Sequence, residues 1–486
     1  MAAVITDQYQ TKPYGIISRN SIGAMSGIAT IPTKQRLDYM TQSDFFDDPQ
    51  DNGIPSRAVP SGRLNRLLGL GSMATGIAGN MLADGARNLT HGKRPRLADM
   101  LLTPANAHRV ADQLAHMRGA AMKVGQLLSM DAGDLLPPEI GAILARLRAN
   151  ATSMPMSQVV EVLDANWGDG WRRHFQQFSF TPVAAASIGQ VHFARLADGR
   201  SVAVKIQYPG VRESIDSDID NVASLIRLSG LVPKSVDFAP LLQEAKAQLH
   251  EEADYHHEAA ALRRYGACIA TVPDFVLPEV EDGLSTDRVL TMTRMGGVPI
   301  DALTQAGQAE RDRVATLLID LFFREMFEWH YIQTDPNFAN YRYDRANGLL
   351  ILLDFGATRE YSAEIIERYR QLIRAAIAGD AAAIVEPAMA LGYFDAVTPA
   401  HHRSTLVALF IMVCEPFRCD GPFDFGTSDL SARLRDAGRA LGMDKDFWHT
   451  PAGDVLLLQR KIAGLYLAAA RLRARVDIGK MAAGRI

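Results

Sequence analysis

The stretch FTPVAAASIGQVHFA, Phe180 to Ala194, decides how the rest of the chain is read. Ala184, Ala186, Gly189 and Val191 fall on the frame G-x-G-x-x-G-x-V of a phosphate-covering loop, with two of its three glycines replaced by alanine. Glycine suits that frame because it takes φ > 0 and lets the backbone lie close over phosphate. Alanine at 184 and 186 adds two methyl groups and restricts those dihedrals. The loop, which also includes Ala185 and Ser187, is therefore expected to hold a nucleotide in a different and stiffer arrangement. Fourteen residues beyond Val191, the β-rich run SVAVKIQ brings Lys205 to where an ammonium reaches the α- and β-phosphates. DGR at 198–200 turns the chain between QVHFARL and that run.

More residues follow in order. Glu258, in EEADYHHEAA on a helical stretch read as 239–265, is placed to hold Lys205. Asp335 and Asn340, in QTDPNFAN, keep the spacing D-x-x-x-x-N, in which the Asp addresses the attacking nucleophile and the Asn holds a metal. Asp354, in LLDFG, stands 19 residues after Asp335 and supplies a carboxylate. Hard Mg²⁺ (or Mn²⁺) prefers such carboxylate and amide oxygens together with the phosphate oxygens of ATP or ADP. Lys205, Glu258 and Asp335 are thus the expected catalytic residues, and Asn340 and Asp354 the metal ligands. A second FDFG, Phe423 to Gly426, follows Gly421 and Pro422 rather than an apolar strand and reads as a loop.

The bulk composition agrees with a globular protein of two or three domains: 486 residues, 48% hydrophobic and 22% charged. A net charge of -4 gives no reason to expect nucleic acid as the main partner, and the 3 cysteines form neither a disulfide framework nor a zinc pattern. Residues 1–60 read as a largely disordered tail, whose Lys12, Arg19, Lys34 and Arg36 also fit a transit peptide. Residues 61–165 read as a helical extension broken at Pro137 and Pro138, and 166–295 as a small β-rich lobe with helical stretches at 213–229 and 239–265. Residues 296–486 read as a larger lobe, mainly helical apart from GLLILLDFG. The expected fold class is therefore α+β, a bilobal protein-kinase-like fold behind an N-terminal helical extension. Within that extension Leu67 to Ala83 carries no charge and follows Arg63 and Arg66, which fits either a packed helix or membrane contact.

The resemblance is closer than to kinases in general. Lys123, Gly125 and Gln126 form a K-x-G-Q motif in MKVGQLLSMDAGDLLPPE, and Glu252 and Asp254 form E-x-D. With the alanine run and QTDPNFAN, these residues resemble the UbiB (AarF-like) atypical kinase family over about Val59 to Ile478. VPSGRLNRLLGLG and LLLQRKIAGLYLAAARLRARV are similar to its coenzyme Q biosynthesis branch. The resemblance implies that the K-x-G-Q helix covers the peptide-substrate position, with Lys123 pointing towards the E-x-D carboxylates in a regulatory role. It also implies that the alanines favour ADP-like binding and restrain phosphoryl transfer. Glu252 and Asp254 lie about 200° apart on a regular helix. Either the helix is irregular there or the two acids face different partners; the choice of acid for Lys205 falls on Glu258.

Only ATREY separates Gly356 from Ser362, and Thr334 stands where an arginine would read a phosphorylated activation loop. Phosphorylation of protein substrates in trans is therefore disfavoured. Two readings remain: an ATPase or small-molecule kinase supporting ubiquinone biosynthesis, and a nucleotide-dependent chaperone or scaffold with little turnover. The implied partners are a lipid or ubiquinone-precursor small molecule, a membrane surface, biosynthetic proteins and a second copy in a homodimer, with no nucleic acid. The implied location is peripheral at the inner membrane: its cytoplasmic side in a bacterium, its matrix face in a mitochondrion.

Overall fold

The computed structural model describes residues 153–186, 188–228, 239–443 and 453–486. The expected tail, the 67–83 segment, Lys123, Gly125, Gln126 and Ser187 lie outside them.

Helix α1, Met156–Trp167, leads into strands β1 (Phe175–Phe178), β2 (Ala184–Ala185), β3 (Gly189–Leu196) and β4 (Ser201–Gln207). Helices α2 (Val211–Leu228), α3 (Ala239–Glu252) and α4 (Tyr255–Ile269) follow, then β5 (Phe275–Val276) and β6 (Val289–Thr293). The antiparallel order is β1-β3-β4-β6, with β2 also paired to β3. Its register carries one row straight across the sheet: Ala184 opposite Val191, Val191 opposite Lys205, Lys205 opposite Leu290. The sheet thus fixes the alanine hairpin relative to the lysine without any loop between them.

Next come β7 (Val298–Pro299) and α5 (Gln308–Arg324), which widens into a π-turn at Glu325–Trp329 and stops at His330, whose φ is 53°. Strands β8 (Tyr331–Gln333), β9 (Tyr341–Asp344), β10 (Leu349–Leu352) and β11 (Thr358–Glu360) follow. They form a sheet ordered β5-β10-β9-β7 and a separate β11-β8 pair. Two expectations change here. The chain beyond Pro299 holds several strands besides GLLILL, each of two to four residues and too short for a two-residue period to be seen. Strand β5, which lies within the stretch 166–295 read as the small β-rich lobe, instead pairs in parallel with β10 of the later sheet. Helices α6 (Ala363–Ala378), α7 (Ala381–Ala390) and α8 (Ala400–Val413) precede strand β12 (Phe423–Asp424). Helices α9 (Leu430–Met443) and α10 (Gly453–Arg471), strand β13 (Arg475–Val476) and helix α11 (Ile478–Ala482) complete the chain.

A large apolar core runs from Ile188 through Tyr265 and Phe355 to Leu465, and a second, built on Trp171, Leu196 and Val204, underlies the first sheet. Burying one such side chain contributes about 1.5–3 kcal/mol. The ion pairs Lys205–Glu258 and Lys461–Glu325 are enclosed among these residues.

Candidate functional site

Strand β4 delivers Lys205 into the interior, where its Nζ lies 2.9 and 2.8 Å from the two carboxylate oxygens of Glu258. The same Nζ is 3.3 Å from Asp354 Oδ2 and 5.2 Å from the centre of the Tyr255 ring. Burial alone would lower the Lys205 pKa; the Asp354 and Glu258 carboxylates outweigh it and hold the ammonium charged, well above its usual range. Burial pushes Glu258 up to about 7, with Lys205 pulling the other way and Asp354 and Glu252 adding to the rise.

The stretch read as one helix over 239–265 is two. Asp254 leaves the helical region (φ -110°, ψ 92°) and its carboxylate accepts the His256 and His257 N–H groups, capping α4. A capping acid at this point satisfies orphan amides that a continuous helix would have bonded internally. The two E-x-D acids consequently separate: Asp254 serves the backbone, whereas Glu252, the last residue of α3, faces the Asp354 loop. A β-carbon added to Gly356 would lie 3.4 Å from Asp354 Oδ1 and 3.8 Å from both Glu252 Cγ and Glu258 Oε2. Three carboxylates thus gather near Gly356, and two of them, Glu258 and Asp354, reach the Lys205 ammonium.

Asn340 donates its side-chain N–H to Asp335, 3.1 Å from Oδ2, so its amide oxygen is the atom that could face a cation. Asp354 Oδ1 accepts the Gly356 N–H at 3.0 Å, and its side chain is 40% exposed. Next to Asp354, Phe355 turns inward and packs against Tyr265 of α4, with ring centres 4.8 Å apart and ring planes tilted by 55°. Among the described residues no three His, Cys, Asp or Glu side chains converge as a finished metal cluster. A Mg²⁺–nucleotide site needs none, because the cation takes only one or two protein carboxylates and completes its shell from phosphate and water. The excess of negative charge around Lys205, with an amide oxygen at Asn340, fits such a cation.

At the hairpin, Ala184 and Ala185 pair with Val191 and Gln190, and the Ala186 N–H donates to Gly189 O at 2.8 Å. Both Ala184 and Ala186 keep ordinary negative φ. Gly189 is different, since a β-carbon there would sit 2.3 Å from Ile206 O. The retained glycine serves close strand packing. Sequence reasoning missed the polar support beneath the hairpin. His192 Nδ1 lies 2.9 Å from Ser179 O, and its Nε2 lies 2.9 Å from Gln190 Nε2, which fixes a neutral ring protonated on Nδ1. Burial lowers the His192 pKa to about 4, against the smaller opposing pull of the Ser179 carbonyl. The available cue was two polar residues, Gln190 and His192, on the strand face they share with Ala194 and Leu196.

The short segment after Gly356 is consumed by structure. Thr334 N–H and Oγ1 both bind Ala357 O, at 2.8 and 3.0 Å, β11 pairs with β8, and Ser362 caps α6. The second FDFG forms the two-residue strand β12 rather than a plain loop, and Asp424 there accepts the Gly426 N–H and pairs with Arg475 at 3.3 Å. It has no part in the Lys205 cluster.

A five-stranded sheet bearing Lys205, followed by a mainly helical part bearing Asp335, Asn340 and Asp354, defines a bilobal, kinase-like α+β protein. The ABC1 atypical kinase-like domain matches residues 146–388. The chain is 36% identical over 437 residues to "Atypical kinase COQ8, mitochondrial" of Saccharomyces cerevisiae, covering 90% of this chain and 87% of that protein. It is 35% identical over 422 residues to "Atypical kinase COQ8B, mitochondrial" of Rattus norvegicus, covering 86% and 80%. Among solved structures, the Rv3197–erythromycin complex from Mycobacterium tuberculosis superposes with a TM-score of 0.53 at 26% identity, over 78% of this chain and 96% of that one. The chain belongs to the UbiB/COQ8 family of ABC1 atypical kinases.

Proposed function

We propose that the chain is an Mg²⁺-dependent ATPase, or a kinase for a small molecule, that supports ubiquinone biosynthesis at a membrane surface. The observation that carries this reading is Lys205, held by Glu258 and touching Asp354, in a fold that also pairs Asp335 with Asn340. Lys205 would bind the α- and β-phosphates, with Glu258 keeping its Nζ in place. Asp354 and the Asn340 amide oxygen would hold the cation. When bound, Mg²⁺ neutralises charge on the phosphates. Asp335, oriented by the Asn340 N–H, would position the attacking water or hydroxyl. The closed segment from Gly356 to Ser362 favours a small acceptor over a docked peptide.

Both named relatives are called mitochondrial. Among the described residues no helix is long and apolar enough to cross a membrane. Peripheral attachment at the inner membrane, on the matrix face in a eukaryotic cell, is the location we propose. The test is steady-state ATP hydrolysis by the full chain and by Asp335→Asn, each with and without anionic lipid micelles. Lipid-stimulated turnover lost in Asp335→Asn is the expected result. Mg²⁺–ADP binding with turnover no greater than that of the variant would replace this reading by the nucleotide-dependent scaffold.

A further inference from the structure

We infer that Lys461 and Gly464, on the C-terminal helix α10, are positioning residues for the loop that carries Asp335 and Asn340. This rests on the function proposed above. Lys461 is 1% exposed, and its Nζ lies 3.0 Å from Gln333 Oε1, 3.1 Å from the Tyr341 hydroxyl and 3.3 Å from Glu325 Oε2. Gln333 stands two residues before Asp335, and Tyr341 directly follows Asn340. The ammonium therefore grips both ends of the segment that holds the two functional side chains. Tyr341 also donates to Gln333 Oε1 at 3.2 Å, closing the grip.

Glu325 supplies the counter-charge from the π-turn that ends α5. Its Oε1 accepts the Gln333 N–H at 3.0 Å and the Tyr265 hydroxyl. Single-turn π-bulges recur at functional sites because they re-aim a side chain out of the regular helical ladder. Gln333 Nε2 in turn approaches Asp354 O at 3.5 Å. The middle of the segment is held as well, by Gly464. An added β-carbon there would lie 2.2 Å from Pro336 Cβ and 2.6 Å from Pro336 Cγ. Pro336 follows Asp335 immediately, and only the bare backbone of Gly464 lets α10 lie against its ring. A buried ion pair by itself is weak evidence of stabilisation, because the desolvation penalty opposes the attraction. What singles this one out is that its donors end on residues flanking the same short loop.

The test uses the full chain with Lys461→Met, the double variant Lys461→Met with Glu325→Gln, and Gly464→Ala. The readouts are melting temperature, kcat and KM for ATP, and amide hydrogen exchange across residues 333–340. Lys461→Met strands the Glu325 carboxylate and should lower the melting temperature. The double variant removes both charges and should recover most of it. If Lys461 positions the loop, that double variant still shows depressed kcat with KM little changed, and fast exchange at 333–340. A purely structural pair would instead recover kcat and exchange protection together with melting temperature, which overturns the inference. In Gly464→Ala, Pro336 must retreat by roughly 1.5 Å to restore an ordinary carbon contact of about 3.5–4.0 Å. A misplacement of about 1 Å passed on to Asp335 is enough for about a 100-fold loss of rate, the drop in kcat expected here. Unchanged turnover in Gly464→Ala would equally overturn the inference. Should the wild-type chain hydrolyse no ATP, the proposed function fails instead. The exchange pattern of the double variant then decides whether Lys461 holds the loop.

Discussion

Gly189 is where the hairpin meets the lysine strand, and replacing it with alanine should damage both. The new methyl group would stand 2.3 Å from Ile206 O and 3.0 Å from the Tyr255 hydroxyl. A carbon and a carbonyl oxygen need about 1 Å more than the first distance. The obstacle is backbone, so β3 must lift away from β4 near the pairing of Gly189 with Gln207. Overpacking of this kind costs about 1–3 kcal/mol. Ile206 directly follows Lys205, so the displacement reaches the ammonium, and stabilisation by Mg²⁺–ADP should shrink too. Adding Tyr255→Phe relieves only the longer contact and should recover little. Urea unfolding and nucleotide thermal shift of wild type, Gly189→Ala and the double variant measure these effects. Gly189→Ala with wild-type stability and the full ADP shift would refute the close packing of β3 on β4 described here.

Asp354→Asn should abolish Mg²⁺-dependent thermal stabilisation by ATP or ADP, because a neutral amide is a poorer ligand for a hard cation. Asp424→Asn should keep that stabilisation in full, which a thermal shift series on the two variants checks. Ala186→Gly should raise ATP affinity relative to ADP, at a stability cost of about 0.5–1 kcal/mol; equal nucleotide preference in both proteins would mean the alanine is merely tolerated. His192 has its pKa depressed from 6.5 to about 4, so the folded state resists its protonation and stability is lost as pH falls through that window. The loss is bounded at about 3 kcal/mol. His192→Gln should flatten the urea midpoint between pH 6.5 and 4, and an unchanged acid slope would exclude His192 as its source.

The linear order of Lys205, Asp335, Asn340 and Asp354 was legible because each sits in a local motif whose spacing survives whatever surrounds it. The split between α3 and α4 was not. Glu251, Glu252 and Asp254 look alike in sequence, and only the Asp254 cap reveals where the helix stops. That cap also explains why two acids two positions apart serve different ends. The short strands around the Asp335 loop escaped because strands of a few residues carry no period. Lys461 was the hardest to see, since a lysine in an apolar helix ordinarily extends to solvent. Its one cue was a pair of charges, Arg460 and Lys461, in the middle of LLLQRKIAGLYLAAA.

Helix α4 presents Glu258 to Lys205 and, two turns later, Tyr265 to both Phe355 and Glu325. In protein kinases the equivalent helix is a lever whose position switches the enzyme. Swinging this one outward would strand Glu258 and strip a hydroxyl from Glu325, and an uncompensated buried charge costs about 3–5 kcal/mol. A lever bolted at two points is a poor switch. To move, α4 would have to give up both fastenings at once.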